Sequence, residues 1–370
     1  MIQKKIIPVV AILSGLLLLS CSTSRKTTAG RMPALKTVFS HDFAVGTALN
    51  AAQIAEKDPI AAQLVPQQFN TATPENVMKA GIIHPKWNEY NFELADRLIE
   101  YGKKHDIRIN GHTLIWHSQL PAFARQIQSP DSFRLFFNDH INTVAGRYKG
   151  KVFSWDVVNE ALNEDGSLRS SIFLEKMGED FVTAAFRLAQ AASPGAELYY
   201  NDYNNEQPAK RAGCIALIKK IQAAGVRIDG VGIQGHWHIG KIPLKDIEES
   251  ILQYGALGLK VMITELDIDV LPGNIQGADI GRRIQNEPSL DPYTNGLPDT
   301  LQLQLANDYA ALFKLFLQHK DKISRITFWG VNDAQSWLND WPVRGRTNHP
   351  LLFDRAGKPK PAFYKVIAVR

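Results

Sequence analysis

The chain has 370 residues, 45% hydrophobic and 21% charged, and its only cysteines are Cys21 and Cys214. That balance excludes a disordered polymer and a disulfide framework, and the length is ample for one large core. The formal charge of +5 lies wholly in residues 1–35, where Lys4, Lys5, Arg25, Lys26 and Arg31 meet no acid; residues 36–370 are formally neutral, so no nucleic-acid partner is expected.

The chain opens "MIQKKIIPVVAILSGLLLLSC". Lys4 and Lys5 precede an apolar run from Ile6 to Leu19, too short and too badly flanked for a membrane-spanning helix. Residues 1–20 are expected to be a signal peptide. "LLSC" resembles a bacterial lipobox, which implies cleavage before Cys21 and a lipid on its thiol. An ordinary signal peptide with an incidental cysteine is the alternative. Residues 21–38 read as a flexible tether and 39–370 as one folded domain.

Eight apolar runs rich in β-branched residues follow: 43–49, 68–72, 107–116, 152–159, 196–202, 229–235, 260–268 and 325–331. Between most of them apolar positions recur at three and four, predicting helices over 90–105, 131–148, 175–192, 207–225, 244–258 and 301–320. This alternation predicts an α/β fold, a (β/α)8 TIM barrel in a single domain. An open doubly wound sheet would want an early glycine-rich phosphate turn, and none is present.

In such a barrel the working residues sit where strands end. Glu75, Asn76, His112, Trp116, Asn159, Glu160, Asn201, Tyr203, Gln234, His236, Glu265, Asp267, Trp329 and Trp337 all do. Two carboxylates flanking one bond are what glycoside hydrolysis requires, and Glu160 and Glu265 end two apolar strands. Asp267 shares a strand face with Glu265, and His236 comes from the adjacent strand. An Asp–His–Glu chain would keep Glu265 ionised. Glu160 has apolar chain neighbours, Trp155, Val157, Val158 and Ala161, and a less polar pocket would raise its pKa. Trp116, Trp237, Trp329, Trp337 and Tyr203 offer platforms for sugar rings, with core packing the alternative for Trp155 and Trp237. The "HxH" of His236 and His238 invites zinc, but no third and fourth ligands appear at convincing spacing, so neither metal nor cofactor is expected.

Together "TPENVMK", "GHTLIWHSQLP", "WDVVNEAL", "YYNDYN", "GVGIQGHW", "ITELDI" and "FWGVNDAQSWL" resemble the family 10 glycoside hydrolases, endo-1,4-β-xylanases, over residues 40 to 368. The resemblance implies a retaining double displacement, with Glu160 as acid/base and Glu265 as nucleophile. Retention fits carboxyl groups roughly 5–5.5 Å apart. It implies that Asn159 binds the 2-hydroxyl of the cleaved sugar and that Gln234 and His236 partner the nucleophile, with Asp267 orienting the histidine. Glu75, Asn76, Lys79, His112 and Trp116 would hold sugars on the non-reducing side. Trp329 and Trp337 would wall the cleaved sugar, and Tyr203 would stack on the leaving-group side.

The chain departs from the family pattern at Ala80, where many members have tryptophan, and in a long polar loop over 271–299. The expected partner is xylan or a xylo-oligosaccharide, bound by a monomer. The lipobox resemblance places that monomer on the outer membrane, facing the periplasm or displayed on the cell surface. A non-catalytic xylan-binding lipoprotein and a β-1,4-glucan hydrolase are the alternatives.

Overall fold

The structure is a computed structural model that describes residues 1–2, 32–273, 278–285 and 287–370. Cys21, the leader and most of the tether lie outside the described residues, as do positions 274–277 and 286 of the long loop.

Nine parallel strands form the sheet: β1 (Ala44–Leu49), β2 (Thr71–Pro74), β3 (Arg108–Trp116), β4 (Ser154–Asn159), β5 (Glu197–Asp202), β6 (Gly230–Ile233), β7 (His236–His238), β8 (Lys260–Asp269) and β9 (Ile323–Phe328). Their order runs β6-β5-β4-β3-β2-β1-β9-β8-β7, and a further pairing of β6 with β8 closes eight of them into a ring. Short β7 is the upper end of β6 after a break at Gly235, whose φ of +83° a side chain would resist. The break advances the register by one residue. Ile233 pairs with Ile263, but His236 pairs with Asp267, which sets the imidazole beside that carboxylate.

Helices lie between the strands with one face buried, because each sheet surface needs apolar cover. Glu93–His105 shows this clearly: Ala95, Leu98, Ile99 and Tyr101 are buried while Glu93, Arg97, Glu100 and Lys103 are exposed. Full burial of each such aliphatic side chain contributes about 1.5–3 kcal/mol.

Four boundaries differ from expectation, each for a local reason. Residues 33–38 belong to the folded body rather than to a tether. They include a short helix, Leu35–Val38, whose Leu35 is fully buried and donates its N–H to Gln68 Oε1 at 3.0 Å. The strand expected at 68–72 starts at Thr71, since Pro59–Gln68 is helical; Asp58 caps it by accepting from the Ile60 and Ala61 amides. Pro66 inside that helix hid it from periodicity. The helix expected over 175–192 is two, Ile172–Met177 and Phe181–Ala192, separated at Gly178 with φ +74°. The last strand ends at Phe328 rather than 331, and Trp329 lines the cleft.

Candidate active site

The C-terminal ends of the strands surround an open cleft of about 280 Å³. Glu75, Asn76, Lys79, His112, Trp116, Asn159, Glu160, Gln234, His236, Glu265, Trp329 and Trp337 line it. Barrel closure therefore brings together residues drawn from positions 75 to 337. Asp267 stands just behind them.

Glu160 follows the last residue of β4 and has a φ of +58°. For a non-glycine residue that conformation costs about 1–2 kcal/mol, so the surroundings must impose it. Its N–H donates to the Asn201 carbonyl at 2.9 Å, and its carbonyl accepts from Arg169 Nε at 3.0 Å. The strand stops here because the residue after it takes this left-handed turn. Three donors meet the carboxyl: Trp116 Nε1 at 2.7 Å on Oε2, with Gln234 Nε2 at 3.0 Å and Asn159 Nδ2 at 3.2 Å on Oε1.

Burial raises the Glu160 pKa above the usual carboxylate value, and the Glu265 charge adds to this; the Gln234 and Trp116 bonds work against it. The predicted direction holds, with burial as its first cause. Val158 and Ala161 lie alongside Glu160, whereas Trp155 is fully buried in the core, and the polar donors at the carboxyl were not foreseen. Gln234 is corrected. Its side chain bonds Glu160, while it meets Glu265 only through the backbone, where its carbonyl accepts the Glu265 N–H at 2.8 Å.

Glu265 sits on β8 beside His236. The His236 Nε2–H points at Glu265 Oε2 at 3.2 Å, and Nδ1–H at Asp267 Oδ1 at 2.9 Å. Burial alone would lower the His236 pKa, but Asp267 and Glu265 outweigh it and push it up to about 10. Burial alone would raise Glu265; the His236 bond and nearby positive charge, Lys79 included, hold it below the ordinary value instead. Two buried glutamates on one cleft thus have pKa values driven apart.

Asn201 joins them and was given no role from sequence. Its amide nitrogen donates to Glu265 Oε1 at 2.8 Å and to Asn159 Oδ1 at 2.9 Å, while its oxygen accepts from Thr264 at 2.6 Å. The only prior signal was its position at a strand end.

The other expected residues divide. Lys79 is buried 4.6 Å over the Trp116 ring and donates to Asn76 at 3.2 Å. Burial lowers its pKa against the pull of Glu265, Glu75 and Glu160, and burial raises Glu75. His112 donates through Nδ1 to Asp156 at 2.9 Å and meets Trp329 edge-on at 5.4 Å. Trp337 donates to Asp267 Oδ2 at 2.7 Å and stacks at 4.7 Å on Trp341, a cleft residue the sequence reading missed.

Tyr203 is not presented as a platform. It is 4% exposed, Lys210 Nζ covers its ring at 3.8 Å, and Arg169 donates to its hydroxyl at 2.6 Å. Trp237 is core, bonded to Glu206 at 3.0 Å. His238 turns its nitrogens to the carbonyls of Ile239 and Leu271, away from His236's partners. Among the described residues no group of three or more His, Cys, Asp or Glu could hold a metal ion.

Comparison with known proteins gives concordant matches. The model of glycosyl hydrolase family 10 matches residues 34–369. The chain is 42% identical to endo-1,4-beta-xylanase A of Xylanibacter ruminicola, over 92% of this chain and 94% of that one. It is 38% identical to a beta-1,4-xylanase of Dictyoglomus thermophilum, over 91% of each. A solved GH10 endoxylanase from a sugarcane soil metagenome superposes with a TM-score of 0.88 at 43% identity, covering 91% of this chain and all of that chain.

Proposed function

The chain belongs to glycosyl hydrolase family 10, and from that premise we propose that it is an endo-1,4-β-xylanase, cleaving internal xylosidic bonds with retention through Glu265 and Glu160. One observation carries the assignment of roles: two glutamates share the cleft, one held ionised by a charged histidine and one pushed toward its protonated form by burial.

In the first step a Glu265 oxygen attacks the anomeric carbon while Glu160 gives its proton to the departing glycosidic oxygen. This leaves a xylosyl ester on Glu265 and a carboxylate at Glu160. In the second, Glu160 takes a proton from water, whose oxygen attacks the anomeric carbon and displaces Glu265. Both groups regain their starting charge. Asn159 lies beside the acid, placed for the 2-hydroxyl, and Asn201 fixes Asn159 and Glu265 together. Trp329 and Trp337 line the cleft, and on this reading they form the wall that disfavours the hydroxymethyl group separating glucose from xylose.

Three measurements test this. Proton NMR of the first product from a xylo-oligosaccharide should show the β-anomer before mutarotation; an initial α-anomer would exclude the double displacement. Glu160→Ala should lower kcat/KM on xylan by about 10²–10⁴ but scarcely lower kcat/KM on an aryl xyloside whose leaving group needs no proton, while kcat falls on both because the second step loses its base. Equal loss of kcat/KM on both would remove Glu160 as proton donor. Comparing rates on xylan and a soluble cellulose tests sugar preference.

The enzyme is further proposed to act as a monomer tethered by acyl chains on Cys21 to the outer membrane, facing the periplasm. The support is the basic, apolar leader ending in "LLSC". Cys21→Ser should move the protein from the detergent to the aqueous phase on Triton X-114 partition, and protease shaving of intact cells separates periplasmic from surface placement. Light scattering of the purified protein reports its oligomeric state.

A further inference from the structure

The lysine and the arginine in the cleft lining, Lys79 and Arg283, are held very differently. Lys79 is buried amid the fields of Glu265, Glu75 and Glu160. Arg283 is exposed on the cleft wall and forms no ion pair among the described residues, and the undescribed positions contain no aspartate or glutamate. Among the described residues its side chain makes one long contact, Nη1 to the Arg282 carbonyl at 3.5 Å. The adjacent Arg282 does reach an acid, Asp279, at 4.0 Å.

Arg283 does not ride on a free loop. Trp341 Nε1 donates to the Asp279 carbonyl at 3.1 Å, the Ile284 N–H donates to the Pro342 carbonyl at 3.1 Å, and the Gly281 N–H donates to Asp279 Oδ1 at 2.9 Å. These bonds fix the segment against the Trp341 side of the cleft, where Ala278 and Ile280 complete the wall. Asp340 lies in the same lining but accepts from the Gly345 N–H at 3.1 Å and makes no ion pair with Arg283.

A neutral xylose backbone does not account for a cation placed this way. The cleft already carries Glu75, Glu160, Glu265 and Asp340, so a negative substituent would be repelled unless a local cation received it. The guanidinium is a planar fork of donors that matches a carboxylate at two points. Building on the xylanase reading above, we propose that Arg283 makes this cleft selective for xylan whose backbone bears carboxylate branches, uronic acids, by binding the branch carboxylate on the wall beside Trp341.

The test compares a uronic-acid-branched xylo-oligosaccharide with the same molecule after its carboxyl is reduced to the alcohol. The quantity read is the ratio of kcat/KM for acid over reduced substrate. Wild type should favour the acid by about fivefold at low salt, and the preference should shrink as salt rises. Arg283→Ala should bring the ratio to one or below, Arg283→Lys should retain part of it, and Arg283→Glu should invert it. A wild-type ratio of one, or a preference that survives Arg283→Ala, overturns the proposal. Failure of the wild type to cleave a linear, unbranched xylo-oligosaccharide would instead overturn the underlying hydrolase reading, and with it this inference.

Discussion

The two ends of the barrel hold buried charge by opposite means. At the mouth, hydrogen bonds run from side chain to side chain: Asp267 to His236 to Glu265, then through Asn201 and Asn159 to Glu160 and Trp116. At the floor, Arg325 near the start of β9 is 2% exposed, and none of its guanidinium nitrogens has a hydrogen-bond partner among the described residues. It lies 5.4 Å from the Phe153 ring and 5.8 Å from that of Tyr199. Burial lowers its pKa, and the Asp156, Tyr199 and Glu197 fields oppose the shift. Asp156 stands between the two ends, bonding His112 and Asn110 through one oxygen.

The contrast separates two uses of a buried charge. Direct donors at the mouth set which carboxyl keeps its proton, so substitutions there should appear in rate and pH profile. The floor cation acts through its field and ring faces, so substitution there should appear in stability.

The largest expected effect is at the mouth. Glu265→Ala should reduce kcat on xylan by about 10⁴-fold or more while the far-UV CD spectrum stays native, because no other group attacks the anomeric carbon. A residual rate within tenfold of wild type would break the assignment.

At the floor, Arg325→Met should cost about 3 kcal/mol in urea denaturation, since it removes the cation whose field faces Asp156 and leaves that side chain only its bonds from His112 and Asn110 to one oxygen. kcat should change far less than for any mouth variant. A stable Arg325→Met protein with collapsed activity would reverse the contrast.

The third prediction uses His236. Its pKa in the folded chain is raised to about 10, above the unfolded value, so the stabilisation is fully present below about pH 6.5 and is lost as pH climbs through 10. His236→Gln should therefore be destabilised by about 2 kcal/mol at neutral pH and approach wild type near pH 10. It should also move the acid limb of the pH–rate profile upward, as Glu265 loses the donor that lowers its pKa.

The smallest effect sharpens the picture at Glu160. Trp116 donates to the ionised carboxylate and so lowers its pKa against burial. Trp116→Phe should move the alkaline limb of kcat to higher pH, where the acid form then persists. A shift to lower pH would mean that the indole supports the protonated form.

The sequence reached the barrel because its signals are local. Alternation at two and at three-to-four is written in adjacent residues, and a strand's period places Glu265 and Asp267 on one face without knowledge of the rest. Glu160 at the end of "WDVVN" was likewise legible as a polar stop to an apolar run. The short capped helix at Pro59–Gln68 was not, because its interior proline breaks the pattern that reveals helices.

What only the tertiary structure decided are partnerships between strands and loops distant in the chain. Gln234 faces the acid rather than the nucleophile, Lys210 covers the ring of Tyr203, Asn201 ties Asn159 to Glu265, and the segment carrying Arg283 is pinned to Trp341. Ring closure and one-residue register shifts, such as that at Gly235, determine which side chains meet. A shift of one residue redirects every contact beyond it, and nothing in the local sequence encodes which long-range pairing wins.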